Sequence, residues 1–414
     1  MAKVDLSIKS ILTRFSVLFI YLLNVESSLV NSALADIKKT FPDVDPSTIS
    51  LISTIPSLSS IVVALFVMPF LIKRYNKKSI VITALVIYSI GGMAGFLFNT
   101  TVTQLLAGRF LVGIGMGLSA PLCAGIINEL YVGMEKTNML GWSNAVDSCM
   151  GILLTMVAGI LCAMNWRYTF LAYGIFLIIL VMEIFFLPSL PAPVAEGQSG
   201  NKESVKVVYT PKQMIKLICV LLFAFCFLMF AKTVMVKTSI LVSEQNLGSA
   251  VITSTAMSTL MFGMIATGFI FGIVERVIKR YTIVLAAAVM AVGAFMMSAS
   301  NSVSMLMAAS FVVGIGNGLV QPSLMTKALA IGPRTNGSFA TSMVIGLMGI
   351  GSFLAAYTEK FFGLFTDPTA VHLMHAVGVT FTVITVITLI YVVWNPLKGV
   401  NHAENDQAPS ISNG

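Results

Sequence analysis

The chain has 414 residues, 57% of them hydrophobic, and 10% of them charged, against about a quarter in an ordinary soluble globule. Apolar runs of about twenty residues, each long enough to cross a ~30 Å hydrocarbon core, follow one another almost without pause, so the chain is not built to face water. Its formal charge of +8 sits in short loops between those runs, which signals membrane topology and excludes a nucleic-acid partner.

In chain order the apolar runs predict six spans in the first half, at 12–34, 49–71, 79–99, 104–127, 140–162 and 167–187. The second half gives 213–241, 250–274, 281–300, 304–331, 337–357 and 374–394. The first run is too long for a cleavable signal and lacks a small-residue cleavage site. Residues 188–212, PSLPAPVAEGQSGNKESVKVVYTPK, are rich in proline, glycine and charge and read as a cytoplasmic linker. Residues 399–414 are polar and read as a disordered cytoplasmic tail. The expected organisation is therefore a bundle at 1–187, a linker at 188–212, a bundle at 213–398 and a tail at 399–414.

One set of ends and loops holds 17 lysines and arginines, the opposite set only Lys38, Lys39, Arg167 and Lys360. The positive-inside rule then places both termini in the cytoplasm. The chain also writes one stretch twice. LLAGRFLVGIGMGLSAP at 105–121 returns as LMAASFVVGIGNGLVQP at 306–322, with Arg109 opposite Ser310. The basic loop KRYNKK at 73–78 returns as ERVIKR at 275–280. Both loops follow a second span and precede a third, on the same side of the membrane. The expected fold is an all-α integral membrane protein, with twelve transmembrane helices in two parallel-repeat six-helix bundles around a central cavity. Rocking of such halves gives alternating access.

Three motifs resemble those of the major facilitator superfamily, and the likeness covers nearly the whole chain. Arg74, Lys77 and Lys78 hold the basic positions of the G-x-L-A-D-R-x-G-R-R loop, although Pro69, Lys73 and Asn76 replace its Gly, Asp and Gly. The second copy keeps an acid as Glu275, followed by Arg276 and, at its end, Arg280. Arg109, Gly113 and Gly117 match the fourth-span R-x-x-x-G-x-x-x-G, and Asn165–Phe170, NWRYTF, resembles the W-R-x-x-F that opens the sixth span. The resemblance implies a secondary transporter gated by the two loops, through Arg74, Lys77, Lys78, Glu275, Arg276 and Arg280. One departure concerns direction. The fifth-span antiporter motif G-x-x-x-G-P-x-x-G-G survives only as Gly151 and Gly159, without its Gly-Pro.

Few ionisable residues lie well inside spans: Glu26, Arg109, Asp147 and Lys232, with Lys237, Lys327 and Glu183 nearer the ends. A charge at the bilayer centre costs roughly 2.5–3.5 kcal/mol on insertion scales, so it is rarely kept without a partner or a task. The superfamily packs spans one and four in one bundle, which allows a Glu26–Arg109 pair. Aligning span one with span seven sets Glu26 opposite Lys232 and Asn31 opposite Lys237. Glu26 is then expected to titrate during transport, with Lys232 pairing with it or holding an anionic substrate. A static ion pair, or a Lys232 that snorkels outward, is the alternative, and Lys237 is expected to snorkel.

In span five, Asn144, Asp147, Ser148 and Gly151 recur at helical spacing and make one face polar and small. Asp147 has no basic residue four positions away and suits a proton carrier, or else is an acid hydrated at the cytoplasmic mouth. Proton coupling is thus assigned to Glu26, Arg109 and Asp147. Substrate contacts are assigned to Asn24, Ser27, Asn31, Asn144, Lys232, Asn317 and Gln321, with interhelical bonding as the rival role for the polar ones.

The glycine runs at 113–117 and 314–318 lack the strand–turn–helix frame of a phosphate loop. The five cysteines form no C-x-x-C pair and the three histidines no metal set, so no cofactor or metal is expected, and no enzymatic constellation emerges. The reading is a monomeric transporter in the plasma membrane of a bacterium, moving a small-molecule substrate with protons across the lipid bilayer. Export of amphipathic compounds leads. Uptake or exchange of organic anions through Lys232 is the alternative, and a transporter-like sensor or lipid-handling protein the third.

Overall fold

The structure, a computed structural model, describes residues 8–24, 28–188, 211–331, 337–365 and 369–394. These residues are helical almost throughout, with no strand among them, and nine stretches among them are long and apolar enough to cross a membrane. One of the nine, Ala250–Ser298, would measure ~74 Å if straight. It breaks at Lys279, whose φ of 53° is incompatible with a continuing helix.

Span one is not the single helix the apolar run predicts. Helix α1 (Ile8–Phe19) tightens into a 3-10 segment (Ile20–Asn24), followed by α2 (Ser28–Asn31) and α3 (Leu34–Thr40). Short polar side chains crowd this stretch and compete for backbone hydrogen bonds, as Ser32 does by donating to the Leu29 carbonyl at 3.4 Å. Helix α4 (Pro46–Val62) starts where the Asp45 carboxylate accepts from the Ser47 amide at 2.7 Å, with Pro46 at the first helical position. That backbone bond holds the Asp45 carboxyl below its ordinary value. A π turn (Val63–Val67) carries span two into α5 (Met68–Arg74). Then come α6 (Lys77–Leu97), α7 (Val102–Leu130), α8 (Gly133–Met164), a 3-10 segment (Trp166–Gly174) and α9 (Ile175–Phe186).

The expected linker lies outside the described residues except for Pro188, Pro211 and Lys212, and the expected tail lies wholly outside them. Helix α10 (Pro211–Glu244) begins two residues before the expected edge, because proline fits the first helical turn, where its missing N–H costs nothing. The second half continues with α11 (Ala250–Ile278), α12 (Thr282–Ser298), α13 (Val303–Ile331) and α14 (Gly337–Leu354). After a 3-10 turn (Ala355–Tyr357) come α15 (Thr358–Phe362) and α16 (Ala370–Trp394).

Buried apolar side chains form two clusters. One runs from Val17 to Leu187 and takes in Val236 and Ala250, and the other runs from Leu217 to Phe381. The repeated glycines explain how each is closed. A methyl on Gly113 of α7 would stand 1.9 Å from Ser59 Oγ of α4, and one on Gly314 of α13 would stand 2.1 Å from the Leu260 carbonyl of α11. Gly115 and Gly316 turn instead toward α6 and α12, where added methyls would meet the Ala84 carbonyl and Met290 Cγ, each at 2.7 Å. The same glycine spacing therefore brings helix backbones together in both halves.

The halves meet on the side away from the basic loops. There Ser239 Oγ of α10 donates to the Ser32 carbonyl at 3.1 Å and accepts from the Ala35 amide at 3.2 Å. Lys237 Nζ donates to Ser50 Oγ of α4 at 2.8 Å, and Lys360 approaches Asp45 at 3.8 Å. Helix α8 presses on α11 so closely that a methyl on Gly159 would stand 1.9 Å from Ser254 Oγ. A cavity of about 290 Å³ is left in this seam, lined by Ser32, Asp36, Cys162, Ser239 and Thr253 among others.

Candidate functional site

Arg109 is fully buried in α7. Its Nε donates to the Ile52 carbonyl of α4 at 2.8 Å, and its guanidinium also donates to the Tyr173 hydroxyl and lies 5.7 Å from the centre of that ring. Gly92 and Gly95 of α6 make room for Tyr173 and Phe170, since methyls there would come within 2.3 Å and 2.6 Å of the two rings. The 3-10 segment that opens with W-R-x-x-F thus delivers, in Tyr173, an aromatic acceptor to the arginine, and one side chain fastens spans two, four and six. Ser310, at the equivalent place in the second half, is buried with a hydroxyl that has no hydrogen-bond partner.

Glu26 and Ser27 lie outside the described residues, as do the side chains of Asn24 and Asn144. Asp147 on α8 is half-buried, and its Oδ1 is enclosed without a hydrogen-bond partner. It sits within electrostatic reach of Tyr21 and Cys123. Lys232 is half-buried on α10. On α13, Asn317 is half-buried and donates to Met264 Sδ at 3.8 Å, while Gln321, one turn nearer the basic loops, is exposed. Asn31 is buried, and its side-chain oxygen accepts from Ser53 Oγ of α4 at 2.6 Å.

Lys237 corrects the expectation of a snorkelling lysine. Its side chain is 1% exposed, forms an ion pair with Glu359 of α15, and bonds Ser50 of the opposite half. A cation buried in a helix seam needs such a partner, because desolvation without one costs several kcal/mol. Glu359 escaped the sequence reading because it follows the 3-10 turn that interrupts span eleven and there looks like loop.

In the basic loops, Lys77 pairs with Glu129 near the end of α7, so it ties the loop to span four of its own half. Lys78 is half-buried, and its backbone amide donates to Asn76 Oδ1 at 2.9 Å, capping α6. Arg74 lies 6.0 Å from the Tyr75 ring, and Arg280 stacks at 4.9 Å on Tyr281. Lys327 of α13 donates to the Arg280 carbonyl at 3.4 Å and lies within electrostatic reach of Glu275, which is half-buried. Arg276 is exposed. The two copies of the loop thus share position and basic character, with different bonding partners.

The family description of the Major Facilitator Superfamily matches residues 15–244, and the chain belongs to that superfamily. It is similar to plastidic glucose transporter 4 of Arabidopsis thaliana, 30% identical over 123 residues, which are 28% of this chain and 22% of that one. It is also similar to the 4-hydroxybenzoate transporter PcaK of Pseudomonas aeruginosa, 27% identical over 143 residues, which are 33% of this chain and 31% of that one. The chain thus spans less than a third of the length of these curated relatives.

Among solved structures, its fold is similar to that of a bacterial homolog of the human lysosomal transporter Spinster, inward-facing and unoccupied. The TM-score is 0.69 at 15% identity, over 92% of this chain and 95% of that one. The nucleoside transporter NupG, as a point mutant, gives 0.71 at 10% identity over 91% and 99% of the two chains. The peptide transporter POT in complex with sulfate gives 0.71 at 13% identity over 92% and 94%. The chain shares the multi-pass membrane fold of these structures.

Proposed function

We propose that this transporter carries a small organic anion by alternating access, with a proton, and that the structure is its inward-facing state. The observation that carries the reading is the seam. The cross-half bonds of Ser239, Lys237 and Lys360 lie on the side away from the basic loops, and the positive-inside rule makes that the outer side. Residues 1–187 and 213–398 act as the two rocking halves.

Lys232 is the counter-charge for the substrate, and Asn317 and Gln321 on α13 of the same half add hydrogen bonds. Uptake of an anion is preferred over export of amphipathic compounds on two grounds. The fifth span lacks the Gly-Pro of the antiporter motif, and PcaK is named for a carboxylate. Asp147 carries the proton, because a half-buried carboxyl with an unpartnered oxygen gains by neutralisation when the cavity closes over it.

Proteoliposomes test this with three labelled solutes, 4-hydroxybenzoate, glucose and a lipophilic cation, with and without an imposed pH gradient. Accumulation of 4-hydroxybenzoate driven by the gradient is expected, and Asp147→Asn should abolish that drive. Lys232→Gln should weaken apparent affinity by about ten- to a hundredfold, the worth of one lost charged hydrogen bond. Transport of the lipophilic cation alone would favour the export reading and overturn this one.

A further inference from the structure

The first half buries a carboxyl group that the proposed cycle does not use. Glu183 of α9 has no solvent exposure. Its Oε2 accepts from Ser16 Oγ of α1 at 2.5 Å, and its Oε1 is enclosed with no hydrogen-bond partner among the described residues. Among the described residues neither Glu183 nor Asp147 makes an ion pair. An ionised carboxylate in that setting would leave a charged oxygen without solvent or donor, at a cost of several kcal/mol. A neutral acid avoids that cost. The Ser16 hydroxyl, as a donor, offsets only part of that cost for the ionised form.

We propose that Glu183 is a second proton-binding site of the first half, loaded from the basic-loop side. This rests on the proton-coupled reading above. The groups around Glu183 support it element by element. From α1 it faces Ser16, while Arg14 of the same helix turns outward to Glu135 at 2.8 Å. From α6, Lys78 lies within electrostatic reach and would steady the ionised form once water enters. Cys123 of α7 lies within reach of both Glu183 and Asp147.

Access is short. Glu183 stands three residues, ~5 Å of helix rise, before the last residue of α9. There α1 covers it, and Thr13 Oγ1 donates to the Phe186 carbonyl at 3.3 Å. A shift of α1, already interrupted by its 3-10 turn at Ile20, uncovers the carboxyl. The proton passes from basic-side water to a carboxyl oxygen and back to water, with no bond to carbon made or broken.

Infrared difference spectra of the purified protein in lipid nanodiscs, recorded across pH, test the site directly. A protonated-carboxyl band that disappears in Glu183→Gln and shifts in Ser16→Ala is expected. The same Glu183→Gln protein should lose the pH dependence of accumulation. A carboxyl spectrum unchanged in Glu183→Gln would overturn the proposal, and so would loss of the band with the wild-type pH profile intact, since the acid would then be structural. Solute counterflow by the wild-type protein, which needs no proton gradient, is scored alongside. Its absence would sink the transporter reading while the infrared result still decides the protonation of Glu183.

Discussion

Lys237→Ala is expected to cost about 3–5 kcal/mol of stability, the usual penalty for removing one partner of a buried ion pair. The lysine side chain is 1% exposed, and its removal strands the Glu359 carboxylate and deprives Ser50 of its donor. Much of that penalty comes from the charge left behind, so a second substitution should relieve it. Lys237→Met combined with Glu359→Leu is expected to recover most of the loss, because apolar replacement of a buried pair is often neutral or stabilising. Thermal unfolding of the single and double variants in nanodiscs measures the difference. Equal losses in both would show that the stranded Glu359 carboxylate is not the source of the penalty. The single variant should also expose a cysteine placed at Ser50 to water-soluble thiol reagents, since the cross-half bond from Lys237 is gone.

Arg109→Ala carries the other large effect. The side chain is fully buried and donates to the Ile52 carbonyl and the Tyr173 hydroxyl. Hydrogen bonds from a charged donor contribute roughly 1.5–3 kcal/mol each, so the alanine variant should lose about 3 kcal/mol or more before the cavity is counted. Arg109→Lys should fall between, because an ammonium lacks the planar fork that reaches two acceptors on different helices. The fraction of monodisperse protein surviving a heating series reads this out. If Arg109→Ala is as heat-resistant as the wild type and loses only pH-dependent transport, the arginine works in coupling and its bonds to Ile52 and Tyr173 are incidental.

These two residues mark where the sequence was and was not legible. The repeat was readable because glycine at fixed spacing has one physical use in a membrane helix, and Gly113 and Gly314 meet equivalent neighbours in α4 and α11. The superfamily was readable from the same stretch, from the basic loops and from the tryptophan–arginine pair after span five. Pairing was not readable. Lys237 finds Glu359 across 122 positions and Glu183 finds Ser16 across 167, and no periodicity links residues so far apart. Glu26, the carboxylate expected to pair with Arg109, lies outside the described residues, and among the described ones Arg109 bonds the Ile52 carbonyl and the Tyr173 hydroxyl. Hydropathy likewise registered span one as a single helix, since it counts apolar side chains and is blind to the backbone, which tightens into a 3-10 turn at Ile20–Asn24.

Alternating access requires the seam between α3 and α10 to open in every cycle. Ala35 and Ser239 face each other there, with the Ala35 amide 3.2 Å from Ser239 Oγ. Cysteines at both positions, with Cys162 of the neighbouring cavity replaced by serine, place an oxidisable pair across the seam. Solute uptake by this protein in proteoliposomes, before oxidation, after it and after reduction, is the most direct measurement. Oxidation is expected to stop uptake, and reduction to restore it. Uptake by the cross-linked protein at the rate of the reduced protein would contradict alternating access through this seam.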